Sequence, residues 1–280
     1  MQLRVHVKRG FQGVGAATIA LALSSFPAQA LVTDVARYRL GEADPGAVAG
    51  AVGDNPTVDS AGALDLTRFD APTYSADVPP TNVSTLAMHF DGIDDRYSVG
   101  SIASPVTDNF GIEAWAKSDG STSGVAIVAY NGDSSFHGWG VFRSGNSYAA
   151  LFGGVLVFGS SPVTANWTHL ALVRDGGVAT FYVNGTSQGT TGAAPNTPNT
   201  LPNGGMMIGG NVNGAVTEWF DGRIDEVRVF TFQAGQFSVA DLNLGHPGVS
   251  VPAQTEVGLA GVVLFLFLYG ALALRVRASV

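Results

Sequence analysis

The stretch WTHLALVRDGGVATFYVNG, residues 167–185, decides the fold class of this chain. In its first half Trp167, His169 and Ala171 fall on one face of an extended chain, and the residues between them fall on the other. An Asp-Gly-Gly turn follows, and a second β-rich run then leads to an Asn-Gly turn. The stretch predicts a β-hairpin with a second turn behind it. It brings together no nucleophile, base and orienting group, so function has to be inferred from the rest of the chain.

Similar short runs recur along the sequence, with turn residues between them. Strands are predicted at residues 35–40, 86–90, 110–117, 125–130, 139–143, 148–152, 155–158, 206–208 and 220–230. Ser238, with Asp241 three residues later, predicts one short helix at 239–244. The 37 glycines and only 13% charged residues favour many strands joined by tight turns. We therefore predict an all-β fold, in which two antiparallel sheets pack as a sandwich.

The first 30 residues have the pattern of a secretory signal peptide. Three basic residues precede an apolar run, and Ala-Gln-Ala at 28–30 has the small-x-small form of a cleavage site. Residues 31–85 are interrupted by proline every few residues, which predicts an irregular extension that lends at most one strand. The predicted domain then occupies residues 86–245.

Residues 257–280 predict a transmembrane helix with a short basic tail. The 18 residues from 257 to 274 are uncharged and apolar on all sides, and Arg275 and Arg277 follow them. Uniform apolarity favours a membrane span over a buried core helix. Residues 246–256 form a linker. Together the two ends predict an exported bacterial protein at the cell surface, either membrane-anchored or released after C-terminal processing.

The exported part is strongly acidic. All 22 acidic residues, but only nine of the 14 lysines and arginines, lie between residues 31 and 256, so the net charge there is −13. Such a surface repels nucleic acid, and no basic patch offsets it. The chain contains no cysteine, which excludes disulfides and thiol catalysis. A nucleic-acid-binding function is therefore not expected.

Four segments resemble a known family. They are FDGIDDRYSV at 90–99, FGIEAWAK at 110–117, the hairpin stretch at 167–185 and FDGRIDEVRVF at 220–230. In order and spacing they are similar to the laminin G-like, concanavalin A-like jelly-roll domains, over about residues 86–244. The resemblance implies a jelly-roll sandwich. It leaves function open, because that superfamily includes lectins, adhesion modules, glycan-binding appendages and some glycoside hydrolases.

The tail has a resemblance of its own. VPAQTEVGLAG at 251–261, followed by the apolar span and the arginines, resembles the C-terminal sorting signals of the PEP-CTERM class in their Ile-Pro-Thr-Leu variant. The matching residues are Val251, Pro252, Thr255 and Glu256, and the sequence departs from the pattern at positions 253, 254 and 257. The resemblance implies a dedicated sorting protease as a partner.

Catalysis is not expected. The hydrolases of the superfamily carry a Glu-x-Asp-x-Glu strand, which this sequence lacks. Asp225 and Glu226 are adjacent, so an ordinary strand points them to opposite faces. Asp221 and Asp225 share a face but lie about 13 Å apart, beyond both separations used in glycoside hydrolysis. The isolated His169 has no metal-binding or catalytic spacing and is interpreted as a packed or hydrogen-bonded residue.

A calcium site is one of two interpretations of the acidic residues near the first strand of the domain. Asp91, Asp94 and Asp95 cluster in one turn, and Asp225 lies on the last strand, which tends to pair near the first in jelly rolls. Their oxygens suit a structural Ca²⁺. In the other interpretation, which we favour, these side chains form the turn through hydrogen bonds to the backbone. No other cofactor is predicted.

Glycan binding is predicted from aromatic and amide side chains at or beside turns, where an exposed ring can stack on a sugar. The candidate contact residues are Tyr130, Asn131, Trp139, Tyr148, Asn213 and Trp219. Each aromatic has a core alternative, and Trp219 is the strongest candidate for exposure. We therefore expect a non-catalytic module that binds polysaccharide of the cell surface or matrix. A flat apolar patch would favour a protein-binding adhesin instead, and an acidic groove with paired carboxylates would favour a divergent glycoside hydrolase.

Overall fold

The computed structural model describes residues 32–81, 83–100, 108–120, 124–132, 138–191, 205–213 and 216–245. Short alternating runs form strands throughout these ranges. The strands are β1 (Thr33–Tyr38), β2 (Thr67–Phe69), β3 (Thr73–Ser75), β4 (Ala87–Asp91), β5 (Arg96–Val99), β6 (Phe110–Ser118), β7 (Val125–Gly132), β8 (Gly138–Ser144), β9 (Ser147–Phe152), β10 (Val155–Pro162), β11 (Thr168–Asp175), β12 (Val178–Val183), β13 (Thr186–Thr190), β14 (Gly205–Ile208), β15 (Val212–Asn213), β16 (Val216–Thr217) and β17 (Asp221–Thr231). A single 3₁₀ turn, Val239–Asp241, completes the described elements.

The strands form two large sheets and a small ribbon. One sheet has the order β13-β12-β11-β6-β17-β4-β3, with β1 also paired to β17, and is called the eight-stranded sheet. The other has the order β10-β9-β8-β7-β14-β5-β2 and is called the seven-stranded sheet. β15 and β16 pair only with each other. All these pairings are antiparallel, so the predicted all-β sandwich of two antiparallel sheets is confirmed.

The hairpin of β11 and β12 shows how the sequence sorts residues between faces. Leu170 and Leu172 lie in the core between the sheets, whereas Ala171 and Val173 lie in a separate cluster on the outer face of the eight-stranded sheet. Such full burial stabilises the fold by about 1.5–3 kcal/mol for each large apolar side chain. The predicted turn is present, because both of its glycines have positive φ.

The N-terminal extension belongs to the sandwich. β1 pairs with β17, β2 with β5 and β3 with β4. Tyr38, Leu66 and Tyr74 from this segment are buried in the core between the sheets. The prediction that residues 31–85 lend at most one strand is therefore wrong. β2 and β3 have only three residues each, which is too short for alternation to be recognised in the sequence.

After β17 the chain turns back across the outer face of the eight-stranded sheet. Phe232 and Leu242 pack there with Phe230 of β17, and so cover that part of the face. The Ser238 and Asp241 capping box begins the 3₁₀ turn at the predicted place. The turn ends earlier than residue 244, since Leu242 already has extended backbone angles.

In the described ranges, none of the helical segments has the length and apolarity needed to cross a membrane. The predicted signal peptide at 1–30, the linker at 246–256 with Val251, Pro252, Thr255 and Glu256, and the predicted helix and tail at 257–280 all lie outside these ranges.

Candidate ligand-binding face

The outer face of the seven-stranded sheet carries an apolar row. The cross-strand register places Leu156, Leu151, Gly140, Tyr130, Met207 and Ser98 side by side from β10 to β5. Alternating neighbours such as Ala150 and Phe152 lie in the core, so this row faces away from it. Leu151 is buried within the row, whereas Leu156 is 42% exposed at its β10 end. Phe158, two residues farther along β10, is 52% exposed.

Three side chains form a stack near the opposite edge of the same face. Arg96 of β5 pairs in register with Phe69 of β2, and its guanidinium carbon lies 4.0 Å from the centre of the Phe69 ring. The same carbon lies 5.7 Å from the centre of the Trp219 ring. The Trp219 ring in turn rests on the backbone of Gly210, where any Cβ would lie 2.2 Å from Trp219 Cε3. We call these residues, Phe69, Arg96 and Trp219, the aromatic-arginine stack.

The stack is partly open to solvent. Phe69 is 38% exposed, and Trp219 and Arg96 are partly exposed. Burial lowers the pKa of Arg96, and the charge of Asp70 acts in the opposite direction. Because an arginine stays protonated at any ordinary pH, the guanidinium remains a charged hydrogen-bond donor beside two rings. The arrangement fixes the orientation of that donor through cation-π contacts.

Most of the other predicted contact residues lie elsewhere. Trp139 is completely buried in the core against Phe110, with 4.7 Å between ring centres. Tyr148 and Asn131 are also buried, and burial raises the pKa of Tyr148 to about 12. These three predicted contacts are therefore wrong, because strand register points the residues inward even though turns lie nearby. For Trp139 and Tyr148 the core alternative is correct.

The remaining predicted contacts have different positions. Tyr130 lies on the outer face, but it packs against Phe142 with 5.3 Å between ring centres and is only 4% exposed. A ligand therefore cannot stack on it in this conformation, which corrects the expectation of an exposed ring. Asn213 lies in β15, and the position of its side chain is not among the described features. Trp219 is the predicted ring that combines partial exposure with a place at this face.

The aspartates at the end of β4 and in the turn after it lie together, as the sequence predicts. One carboxylate oxygen from each of Asp91, Asp94 and Asp95 lies within 4.8 Å of the others. Asp91 Oδ1 accepts the N–H of Ile93 at 2.8 Å, and Asp95 Oδ1 accepts the N–H of Ala71 at 2.8 Å. Burial, together with the charge of Asp91, raises the pKa of Asp95 overall. The backbone hydrogen bonds are those of the turn interpretation, while the oxygen cluster has the donor set of a hard cation site.

Asp225 does not belong to this cluster, so the prediction that it is part of the same metal site is wrong. β17 is in register with β4 at Asp221 and Asp91. Asp225 therefore lies four residues farther along β17, opposite Trp115 of β6, and is completely buried. The last strand does pair beside the first strand of the predicted domain, but at a different residue.

The Asp225 carboxylate instead adjoins those of Glu42 and Glu226, all with an oxygen within 4.8 Å of the others. Alternation predicts opposite faces for Asp225 and Glu226, and this prediction is wrong. The register of β17 on β6 shifts between Asp225 and Arg228, and Glu226 has a positive φ of 48°. Such a bulge places two consecutive side chains on the same side.

The two adjacent carboxylates have different surroundings. Arg37 and Arg39 donate to Glu226 at 2.8 Å and 3.2 Å. Asp225 has no such cation among the described residues and accepts a short hydrogen bond from Ser84 Oγ. Burial therefore raises the pKa of Asp225 well above its usual value, and the neighbouring charge of Glu226 raises it further against the effect of the Ser84 bond. The structure thus places a glutamate that two arginines hold beside an aspartate whose pKa is raised.

A buried polar network on the outer side of the eight-stranded sheet was not predicted. Glu113 of β6 is completely buried and accepts from Arg228 Nε at 2.5 Å and from the Asn243 N–H at 3.1 Å. His169 Nε2 lies 3.0 Å from Glu113 Oε2. Burial alone would raise the pKa of Glu113, but Arg228 and His169 bring it below its usual value. The available signal was a glutamate inside the apolar run FGIEAWA, which requires a partner on a neighbouring strand.

Comparison with known proteins agrees with the sandwich fold. The family described as the concanavalin A-like lectin/glucanases superfamily matches residues 91–236, slightly more than half of the 280 residues. The chain therefore belongs to that superfamily. None of the curated proteins compared matches it.

Solved structures resemble the chain at low identity. Domain 4 of AbnA, a GH43 extracellular arabinanase from Geobacillus stearothermophilus, solved in complex with arabinotriose, is 19% identical, with a TM-score of 0.47 over 75% of this chain and 98% of that one. The botulinum neurotoxin serotype D binding domain is 12% identical, with a TM-score of 0.50 over 76% of this chain and 50% of that one. The serotype G binding domain is also 12% identical, with a TM-score of 0.50 over 74% of this chain and 49% of that one. This chain thus spans about half the length of the toxin domains, and the likeness concerns the fold.

Proposed function

We propose that this protein is a non-catalytic, exported binding module that binds polysaccharide through the outer face of its seven-stranded sheet. The aromatic-arginine stack is the observation that carries the proposal. Sugar rings present apolar C–H faces that stack on aromatic rings, and their hydroxyl groups accept hydrogen bonds from fixed donors. Phe69 and Trp219 supply the rings, and Arg96 between them supplies the donor.

Acceptor groups adjoin the stack. Asp70 is close enough to Arg96 to affect its pKa, and Asp70 also acts on Asp94 of the acidic turn. Carboxylate oxygens accept hydrogen bonds from sugar hydroxyls. A partly exposed surface that combines rings, a cation and carboxylates suits an uncharged polysaccharide better than an anionic one, because the nearby aspartates repel negative charge.

The proposal that the site is non-catalytic rests on the carboxylates. Asp225 and Glu226 lie side by side, but both are buried at no more than 1% exposure, and Glu226 is held by two arginines. A sugar and an attacking water cannot reach a pair in that position. The pair therefore supports a structural role.

A protein-binding adhesin is the first alternative, and the exposed apolar residues of β10 favour it. Leu156 and Phe158 are 42% and 52% exposed on the outer face of an edge strand. Neighbouring large apolar groups on an edge strand are typical of a contact with another protein.

A divergent glycoside hydrolase is the second alternative. It is favoured by Asp91 and Asp221, which pair directly across β4 and β17 at the rim of the sandwich. Burial raises the pKa of Asp221, and the charge of Asp119 raises it further. A carboxyl group with a raised pKa beside another carboxylate is the arrangement from which an acid and a base are built.

Export and surface location remain part of the proposal. The signal-like sequence at 1–30, the sorting-like motif at 251–261 and the apolar run at 257–274 support them. Processing by a sorting protease would remove the C-terminus. Mass spectrometry of the mature protein tests this, because an intact Val280 would contradict it.

Titration of the purified protein against a panel of neutral and acidic polysaccharides, with release of reducing sugar assayed in parallel, tests the function. We expect saturable, selective binding without sugar release. Binding that is lost when Trp219 is replaced by alanine would support the site. If no polysaccharide on the panel binds, the adhesin is favoured, and release of sugar would favour the hydrolase.

A further inference from the structure

A concave region lies on the eight-stranded sheet, where β1 pairs with β17. It is an open cleft of about 880 Å³. Its lining consists of Val32, Thr33, Asp34, Arg37, Arg39, Ser60, Ala61, Val83 and Arg228. Ligand sites in proteins commonly have volumes of roughly 300–1,000 Å³. We call this region the arginine cleft.

Three arginines converge on the cleft in an unusual arrangement. Arg37 and Arg228 are direct cross-strand partners on β1 and β17, and Arg39 follows on the same face two residues after Arg37. Like charges directly opposite each other on neighbouring strands destabilise a sheet. These three are one third of the nine lysines and arginines between residues 31 and 256. Carboxylates beside these arginines offset that cost, and the cleft still gathers a large share of the few cations of this part of the chain.

Each guanidinium is anchored from below by a buried carboxylate. Glu226 accepts from Arg37 and Arg39, and Glu113 accepts from Arg228. The side chains of both glutamates are 0% exposed, whereas Arg37 and Arg39 are 29% and 28% exposed and Arg228 is 11% exposed. The charges of the two glutamates therefore lie beneath the sheet surface, and those of Arg37 and Arg39 lie nearer to solvent.

Three carboxylates balance the three arginines in formal charge, but those of Glu226 and Glu113 are fully buried, so a ligand in the cleft meets guanidinium groups first. Asp34 is the one acidic residue in the lining, and it is already paired with Arg37 and Arg228. Acids elsewhere on the surface act more weakly, because the screening length is about 10 Å at 0.1 M salt. An anionic group entering the cleft meets guanidinium donors whose positions are already fixed, which reduces the entropy cost of binding.

The rest of the lining indicates the size and class of the ligand. Val32, Ala61 and Val83 form apolar parts of the wall, and Thr33 and Ser60 carry hydroxyl groups. An inorganic anion would leave most of this surface without contacts. A sugar residue with an acidic substituent presents C–H groups, hydroxyls and a negative charge together.

We propose that the arginine cleft is a binding site for an anionic saccharide, whose carboxylate or sulfate group pairs with Arg37 and Arg39. This site is separate from the aromatic-arginine stack, which lies on the other sheet, and the proposal does not rest on the function proposed for that stack. Binding at the two sites is expected to be independent.

Isothermal titration of the full-length protein tests the proposal with four probes of similar size. They are trigalacturonic acid, its uncharged methyl ester, a sulfated trisaccharide and hexaglutamate peptide. We expect one or both anionic saccharides to bind, more weakly at high salt, and the methyl ester not to bind. The two anionic saccharides distinguish carboxylate from sulfate as the recognised group. Equal affinity for hexaglutamate would overturn the assignment to a saccharide, and no binding of either anionic saccharide would overturn the site.

Variants locate the binding. Arg39→Gln leaves Arg37 to hold Glu226 and should weaken anion binding about tenfold, the effect of one charge-assisted hydrogen bond. Ala61→Glu adds a negative charge at an exposed lining position without removing an ion pair, and should abolish binding even if Arg39→Gln is unstable. Lys117→Gln removes a cation that is paired with Asp77 outside the cleft and serves as the matched control. Anion binding that persists in Ala61→Glu would contradict the proposal.

Discussion

Asp225 and Glu226 are consecutive in the sequence, yet their carboxylates lie within 4.8 Å of each other on the same side of β17. The β-bulge at Glu226 produces this arrangement, and burial then distinguishes the two groups. Glu226 is compensated by arginines and Asp225 is not. Their proximity has consequences for stability that can be measured.

Asp225→Asn should stabilise the protein at neutral pH. The folded-state pKa of Asp225 is raised above its unfolded value of about 3.9, so the folded form binds more protons than the unfolded form between these two pKa values. Stability contributed by the neutral group is present below pH 4 and falls as the pH rises through that window. Each tenfold increase in proton affinity corresponds to about 1.4 kcal/mol. Asparagine removes this loss, because its amide does not ionise.

Urea unfolding of both forms at pH 4 and pH 7 provides the measurement. The advantage of Asp225→Asn should be at least about 1 kcal/mol larger at pH 7 than at pH 4. Ser84→Ala, which removes the hydroxyl that donates to Asp225, should have the opposite sign and destabilise the protein. If Asp225→Asn is less stable than the wild type at pH 7, the prediction is wrong and the ionised carboxylate of Asp225 is needed there.

Trp219→Ala should weaken polysaccharide binding at least about tenfold, because a ring at the centre of a contact supplies a large share of the binding free energy. Phe69→Ala should have a similar effect, since it removes the other ring of the stack. Affinity electrophoresis or titration calorimetry measures both. Trp167→Ala is the matched control, because Trp167 is also partly exposed but adjoins the eight-stranded sheet and donates to Asp77. Equal losses in all three variants would argue against the stack as the site.

Tyr148→Phe should leave polysaccharide affinity unchanged, because the ring faces the core. Trp139→Ala should instead unfold at a lower temperature, with a loss of about 3–5 kcal/mol, since it leaves a large cavity against Phe110. Thermal unfolding followed by circular dichroism separates these effects from binding. If Tyr148→Phe loses polysaccharide affinity but keeps normal stability, the ligand contacts Tyr148. That outcome would contradict the structure, which places Tyr148 in the core.

Removal of calcium should change the thermal stability of the protein little, because backbone hydrogen bonds hold the turn at Asp91, Asp94 and Asp95. The expected change in Tm with excess chelator is smaller than the roughly 2–4 °C that 1 kcal/mol produces in a domain of this size. Differential scanning calorimetry with Ca²⁺ and with chelator measures it. A larger increase in Tm with Ca²⁺ that is absent in Asp94→Asn would establish a metal site in this turn.

No reducing sugar should be released from any polysaccharide that binds. If sugar is released, Asp221→Asn tests the rim pair, because the raised pKa of Asp221 makes this residue the candidate acid. Loss of release with retained binding would assign catalysis to Asp221 and contradict the non-catalytic proposal. Asp65→Asn is a suitable control, since it removes a carboxylate of the N-terminal segment that accepts a backbone bond from Asp59.

Some features followed from local pattern. Alternation over residues 167–185 identified the hairpin and assigned Leu170 and Ala171 to opposite faces, because side-chain direction in a strand depends only on position along it. Longer strands such as β6, β9 and β17 were predicted within two residues of their observed ends. By contrast β2, β3, β5 and β13 have three to five residues, and too little alternation to be recognised.

The candidate site was only partly predictable. Proximity to a turn suggested exposure for Trp139 and Tyr148, but exposure depends on which face the neighbouring strands cover. The partners of Trp219 were not predicted, since Phe69 and Arg96 lie far from it in the sequence and meet it through the pairing of β2 with β5.

The sequence by itself determined the all-β class, the hairpin, the acidic turn and the net charge, since each depends on residues close together in the chain or on composition. Tertiary structure decided which rings are exposed, how Asp225 and Glu226 share one side of a strand, and how Arg37, Arg39 and Arg228 converge on one cleft. These relationships depend on strand register and on a single-residue bulge, and the free energy that fixes them comes from packing between residues distant in the sequence.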